Sequence, residues 1–369
     1  MRRLATSPAQ AGAHATVALD NREADFSPLT GRPGLNGTVD LMQAWILDAS
    51  PGEYRFGEIE RPEPGAGEVV VRPVTSALNH MDLWLTRGQP KPPLPHVPGC
   101  DVAGVVEELG PGVRGVAVGD EVVVNPAVAP MEAVVELGND APLGRGFGIV
   151  GEQRWGGHAE AVMVPARNVV PRPAARSWAE CAAYPLVTLT AWRMLRRARL
   201  SAGETLLVVG IGGGVSTAAL ALGRHLGARV FVTSRDEAKI TRAVELGAVD
   251  GFDSAGDWSV RADVVVESVG PATWDKSMAA LVPGGRIAVC GGTSGQAVEI
   301  NLPKLFFKQI EIIGSTMGSY QEFAHVTRLV EQGLPVALDE EVGLDAYPAA
   351  LERLRAGEQL GKVVLTHVR

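Results

Sequence analysis

A chain of 369 residues with 46% apolar and 21% charged side chains is long enough for two domains with separate cores, and its composition is that of a soluble globular protein. It contains no apolar run long enough to cross a bilayer. The net charge of −8 argues against nucleic acid or an anionic membrane surface as a main partner, and leaves a small-molecule substrate.

Residues 1–41 mix Ala, Thr, Pro, Gly and scattered charge, with neither the alternation of a strand nor the period of a helix. They lack the apolar segment of a secretory signal, and Asp20, Glu23 and Asp25 are out of place in a transit peptide. A disordered extension is expected, with Met42 as a natural start. Residues 42–176 read as short β segments set off by Gly and Pro, which predicts an all-β barrel or sandwich. Residues 177–318 alternate helical and strand patterns, which predicts an α/β fold with a parallel, doubly wound sheet. The stretch between Phe252 and Asp263 is short, so one crossover helix is expected to be trimmed. Residues 319–369 carry two helical stretches and a strand at Lys362, and are expected to pack back on the first domain.

Within the α/β part, residues 205–209 form a continuous apolar run, as a buried parallel strand does. The turn Gly210-Ile211-Gly212-Gly213-Gly214-Val215 follows. Then Val215, Ala218, Ala219, Leu222 and Leu226 mark one helix face. Glycines at such a junction let the backbone approach a pyrophosphate, and the helix N-terminus offers free N–H groups and the positive end of its dipole. Gly210, Gly212, Gly213, Gly214 and Val215 are therefore expected to bind a dinucleotide. An NAD site places Asp or Glu about 20 residues beyond the glycines, on the ribose 2′-OH. Here the second strand ends in Thr233-Ser234-Arg235. A hydroxyl and a guanidinium suit a 2′-phosphate, and Lys239 is close enough to add charge, so NADPH is the expected cofactor.

Taken in order, Gly119-Asp120-Glu121-Val122-Val123-Val124, Leu189-Thr190-Ala191-Trp192, the Gly-rich turn and Gly361-Lys362-Val363-Val364-Leu365 resemble the medium-chain dehydrogenase/reductase superfamily over essentially all of residues 42–369. The resemblance implies a GroES-like β domain joined to a Rossmann domain, with the active site in the cleft between them. It also implies places for zinc, and here those places differ. The Cys-x-Thr/Ser-Asp segment of the zinc alcohol dehydrogenases reads Asn79-His80-Met81-Asp82, Gly-His-Glu reads Gly99-Cys100-Asp101, and the third ligand falls among Leu186-Val187-Thr188. Catalytic zinc needs three convergent thiolate, imidazole or carboxylate groups. The four-cysteine structural site has no counterpart in residues 125–157. No metal is expected.

The segments Asn79-x-x-Asp82, Arg87-Gly88 and Pro98-Gly99-Cys100-Asp101-Val102-Ala103-Gly104 are similar to the zinc-independent branch of quinone oxidoreductases and 2-enoyl reductases. That likeness implies that Asn79 borders the nicotinamide ribose and Thr190 the nicotinamide–diphosphate region. It implies a nicotinamide wall of Val269, Gly270, Cys290 and Gly291, with Lys362 reaching toward the cofactor from the returning tail. Where many such enoyl reductases use a Tyr as proton donor, this chain has Trp84, whose indole donates a hydrogen bond but does not act as an acid. His80 and Asp82 read either as an acid/base pair or as a backbone-satisfied histidine beside a structural aspartate. His158, next to two glycines, reads as a turn residue.

Cys100, Cys181 and Cys290 are widely separated and form no CxxC pair, so a disulfide framework is not expected and a cytoplasmic location is. The expected function is hydride transfer from NADPH to a quinone or a carbonyl-conjugated double bond. The alternatives are metal-free alcohol/ketone interconversion and a non-catalytic NADPH-binding protein. The strand at residues 310–313 lies where relatives join two Rossmann sheets edge to edge, so a homodimer is expected.

Overall fold

A computed structural model describes residues 39–367; of the extension expected over residues 1–41, residues 1–38 lie outside them, and Leu41 already opens the strand Leu41–Leu47. The α/β half is a six-stranded sheet in the order Asp250–Asp253, Arg229–Ser234, Thr205–Val208, Ala262–Glu267, Leu281–Val289, Glu311–Gly314. All its pairings are parallel. Its central strands Thr205–Val208 and Ala262–Glu267 carry continuous apolar runs because both faces are covered. Leu206, Val208, Val264 and Val266 pack into one core, and Leu207, Val209, Val265 and Ile287 into another. From the central strand Thr205–Val208 the chain moves first to one side of the sheet and then to the other, which opens a crevice at the strands' carboxyl ends. Between Asp253 and Ala262 no helix forms, as the short spacing predicts.

The other half is built on a seven-stranded sheet around Glu68–Ala77 and Asp101–Leu109, which pair antiparallel. The tail completes it. Lys362–Thr366 lies antiparallel to Glu68–Ala77, with Val364 opposite Ala77. Beside it runs a strand that the sequence did not signal, Leu338–Gly343. Its Leu-Asp-Glu-Glu-Val-Gly sequence has weak β propensity, and as an edge strand it has a single neighbour to hold it. The lobe where the resemblance offers no zinc cysteines folds instead as the helix Met131–Leu137 and the 3-10 turn Gly138–Leu143. Arg193 secures it by donating to Asn139 O at 2.6 Å and Asp140 Oδ1 at 2.9 Å.

Candidate active site

Three strand ends meet at one buried point. Asn79 follows the strand Glu68–Ala77, Asp101 opens Asp101–Leu109, and Lys362 opens Lys362–Thr366. The Lys362 ammonium donates to Leu78 O at 2.5 Å, Asn79 Oδ1 at 2.6 Å and Asp101 Oδ2 at 2.8 Å. An ammonium has three donors, so all are engaged. Asn79 Nδ2 donates to Asp101 Oδ2 at 2.9 Å, which sets the amide's orientation. Asp101 Oδ1 accepts from the Leu186 N–H at 2.8 Å, in the first turn of the helix Pro185–Arg197, and so ties the two halves together. Lys362 thus approaches the Gly-rich turn with its methylenes rather than its charge. A Cβ placed on Gly214 would lie 2.7 Å from Lys362 Cδ and 2.7 Å from Val187 Cγ1.

His80 and Asp82 do not pair. They stand at the first and third positions of the helix His80–Leu85, and residues two apart on a helix point to different sides. Asp82 turns into the core. Its Oδ2 accepts from Asn79 N–H at 2.7 Å, and its Oδ1 accepts from Tyr347 O–H at 3.1 Å and faces His158 Nε2 at 3.1 Å. Burial alone raises this carboxyl's pKa, but His158 and the hydrogen-bond donors outweigh it and hold the group below its ordinary value. His158 lies in a bend beside the two glycines, and its ring turns into the core. It is fully buried, and its Nδ1 shares a hydrogen bond with Ser76 Oγ at 2.8 Å, which meets His367 Nε2 at 2.8 Å. The His80 ring lies 6.2 Å from that of Trp84, and its pKa is lowered by burial first and then by the charges of Lys362 and Arg87. At neutral pH it is an uncharged imidazole. Trp84 in turn reaches toward Gly291 on the opposite domain, 3.9 Å from where a Cβ there would sit.

The turn after Thr205–Val208 has the shape its glycines predict. Gly210 (φ +73°) and Gly212 (φ +142°) take backbone conformations that side chains resist, and Gly213 caps the helix Gly214–His225. Ser216 fits at the next turn by donating to Gly213 O at 2.8 Å. The Thr190 hydroxyl, on the neighbouring helix, is engaged with Leu186 O at 2.8 Å. Across the crevice, the buried Glu267 organises the loop that carries Val269 and Gly270. It accepts from both of their N–H groups, at 2.7 and 3.1 Å, and from Thr273 and Ser277 hydroxyls at 2.9 and 2.6 Å. Burial, aided by the Glu267 charge, pushes the neighbouring Cys290 thiol up to about 12. These features fit a dinucleotide laid across the strand ends with its pyrophosphate on the glycines.

At the far end, Ser234 Oγ accepts from Asp236 N–H at 3.1 Å. The Asp236 carboxylate caps the next helix through Ala238 N–H at 2.9 Å. Arg235 is exposed and stands over Gly357. Lys239 is turned inward. Its ammonium holds Gly357 O at 2.5 Å and Gln359 O at 2.8 Å, beside Gly212, and burial lowers its pKa.

The described residues match two family descriptions, "Alcohol dehydrogenase GroES-like domain" over residues 65–174 and "Zinc-binding dehydrogenase" over residues 214–332. The chain is 30% identical over 333 residues to the acryloyl-coenzyme A reductase of Metallosphaera sedula, covering 88% of this chain and all of that one. The chain belongs to the medium-chain dehydrogenase/reductase superfamily. Among solved structures, an NAD-dependent alcohol dehydrogenase superposes with a TM-score of 0.84 at 37% identity, covering 89% of this chain and 100% of that one. A 2-octenoyl-CoA carboxylase reductase in complex with NADP and 2-octenoyl-CoA does so with 0.83 at 26%, covering 89% and 88%. The chain is an oxidoreductase of this superfamily, with the GroES-like and Rossmann halves that the resemblance implied.

Zinc belongs to one of those family descriptions, and this chain's residues do not fit it. The Asn79 amide is engaged at both ends, the Leu186 side chain has no donor, and a lysine ammonium lies against Asn79 and Asp101. The Cys100 thiol is pushed well above its usual range, by burial first and then by Asp82, Asp101 and Glu152, which disfavours the thiolate a metal requires. Among the described residues no group of three His, Cys, Asp or Glu is placed to hold a metal. Sequence reasoning also passed over Glu152, which burial drives up to about 7. Nothing in the pattern Gly151-Glu152-Gln153 marks it; only the fold brings it to Cys100.

Proposed function

We propose that this chain is an NADPH-dependent, zinc-independent reductase of carbonyl-conjugated double bonds, taking enoyl thioesters, enones or quinones. The observation that carries the reading is the Lys362 ammonium bound between Asn79 and Asp101, where a metal-dependent enzyme needs ligands. Zinc makes an ordinary carbonyl electrophilic. A conjugated acceptor is electrophilic already. Relatives named acryloyl-CoA reductase and crotonyl-CoA reductase support this choice of acceptor. Bound NADPH supplies the hydride. Ser234 and Arg235 receive its 2′-phosphate, Gly210, Gly212, Gly213, Gly214 and Val215 its pyrophosphate, and Val269, Gly270, Cys290 and Gly291 line the nicotinamide. Asn79, its amide locked by Lys362 and Asp101, borders the ribose. His80, neutral and facing the cleft, donates a hydrogen bond to the acceptor's carbonyl oxygen as charge develops there.

Purified protein with NADPH, followed at the cofactor's absorbance, is expected to reduce crotonyl-CoA or a simple enone or quinone, and to leave simple ketones and alcohols alone. The competing reading, a metal-free alcohol dehydrogenase, is favoured by the 37% identical alcohol dehydrogenase structure. Efficient alcohol oxidation with no activity on any conjugated acceptor makes it the better one. A protein that binds NADPH and turns over nothing is a binding protein. In the same assay NADPH is expected to be preferred to NADH. Arg235→Ala is expected to erode that preference about ten-fold or more, since a charge-assisted hydrogen bond contributes roughly 1.5–3 kcal/mol. Equal use of both cofactors by the parent protein contradicts the assignment of Ser234 and Arg235.

The same reading includes a homodimer. Glu311–Gly314 is the outer strand of the six-stranded sheet, and the helix before it leaves Phe307 81% and Leu302 62% exposed. An unpaired edge beside an apolar patch invites a second copy. Sedimentation is expected to show a dimer that Phe307→Asp converts to monomer. A parent chain that stays monomeric at micromolar concentration refutes the dimer.

A further inference from the structure

We propose that the Trp84 indole sets the size of the acceptor, confining the cleft to short, unbranched conjugated carbonyl compounds. The inference rests on the function proposed above and narrows its acceptor class. It stands on where the ring lies. The His80 and Trp84 ring centroids are 6.2 Å apart, and on its other side Trp84 Cη2 comes within 3.9 Å of where a Cβ on Gly291 would sit. The indole thus spans the cleft from the helix His80–Leu85 to the opposite domain. It reaches that far because Gly291 has no side chain to meet it.

Both walls are held in place. On the helix side, Leu83 and Leu85 are buried, Ser50 Oγ donates to Leu85 O at 2.7 Å, and Gly52 N–H donates to Thr86 O at 3.0 Å. The Trp84 carbonyl itself accepts from the N–H groups of Arg87 and Gln89, at 2.9 and 3.1 Å. On the far side, Ser294 pins the loop after Gly291 by donating its N–H and its hydroxyl to Val269 O, at 2.8 and 2.7 Å. Thr293 N–H adds a bond to Ser268 O at 3.2 Å. Beyond the indole the two walls meet again, where Gln296 Nε2 donates to Gln89 Oε1 at 3.3 Å.

The consequence follows from the two points that the ring touches. In the proposed reaction the acceptor's carbonyl oxygen lies at His80, and its β-carbon faces the nicotinamide, whose wall includes Gly291. A ring that spans His80 and Gly291 runs alongside the line from carbonyl to β-carbon. The flat C=C–C=O unit lies well against a flat indole. Hydrogen or methyl substituents leave the ring where it is. A longer chain or a branch on that side must displace a large side chain whose backbone and neighbours are tied down, and packed walls resist even one extra methylene. Pockets discriminate by about 10–200-fold per methylene in this way.

The test measures kcat/KM with NADPH for crotonyl-CoA, 2-hexenoyl-CoA and 2-octenoyl-CoA on the parent, Trp84→Phe, Trp84→Ala and Gln296→Ala. Each protein is judged by its own ratio of short to long acceptor, in which any loss of folded protein cancels. The parent is expected to prefer crotonyl-CoA to 2-octenoyl-CoA by about 100-fold or more. Trp84→Ala is expected to bring that preference to about 10-fold or less, with Trp84→Phe between the two. Gln296→Ala, which keeps the ring, is expected to keep the parent's ratio. A second readout needs no turnover. In equilibrium binding to protein loaded with NADP+, the parent is expected to hold butyryl-CoA about 10-fold or more tighter than octanoyl-CoA, and Trp84→Ala to lose that difference. A parent that reduces crotonyl-CoA and 2-octenoyl-CoA alike overturns the role of Trp84 and leaves the proposed function standing. So does a Trp84→Ala protein with the parent's ratio, or a Gln296→Ala protein as permissive as Trp84→Ala. A parent inert toward all three acceptors overturns the proposed function. The binding ratio then still decides for Trp84, and equal binding of the two saturated thioesters, or binding of neither, overturns its role as well.

Discussion

Exchange of Lys362 for methionine is expected to lower the stability of the fold by about 3–5 kcal/mol, the cost of breaking a buried ion pair from one side. The Lys362 side chain is 4% exposed and that of Asp101 not at all, so neither is screened by water. Methionine replaces the methylenes that lie against Gly214 and Val187, which isolates the charge as the variable. What remains is a buried carboxylate with the Asn79 amide and the Leu186 N–H as its only donors among the described residues. For a protein of this size the melting temperature is expected to fall by roughly 5–15 °C. The pair Lys362→Met with Asp101→Leu is expected to recover part of the loss, because removing both charges is milder than stranding one. Denaturant unfolding of the three proteins measures this directly. A single variant within about 1 kcal/mol of the parent means that the cluster does not hold the domains together.

His80→Ala is expected to lower kcat on the best conjugated acceptor by about 10²–10³-fold, the usual consequence of removing one preorganised donor from a developing oxyanion. His80 opens a helix whose other inward groups are committed: Asp82 to Tyr347 and the Asn79 N–H, and Leu83 and Leu85 to the interior. No hydrogen bond to the imidazole is formed among the described residues, and Trp84 lies 6.2 Å away, ring to ring. NADPH binding is expected to be unchanged, because the site proposed for its phosphates is the glycine turn, away from His80. His80→Gln, which keeps an N–H donor, is expected to recover part of the rate. Parent-level turnover in His80→Ala assigns polarisation of the carbonyl to another group.

The sequence by itself determined the α/β half and the glycine turn. Those signals are local. A doubly covered strand must be apolar throughout, and a turn that lets a pyrophosphate approach must be free of side chains. The parting of His80 and Asp82 came only with the helix His80–Leu85, since a two-residue offset shares a face in a strand but not in a helix. The tertiary structure alone decided the destinations of the long charged side chains. Lys362 reaches Asp101 across 261 residues of sequence and Asn79 across 283, and Lys239 bends to carbonyls near Gly357 across 118. A lysine's flexible stem lets the nearest buried acceptors choose its end point, and which acceptors those are depends on where three distant strand ends converge. Glu152 is the same case in reverse. Its identity as a carboxyl is written in the chain, but its protonation depends on how much water the turn beside Cys100 excludes, and burial of that kind exists only after folding.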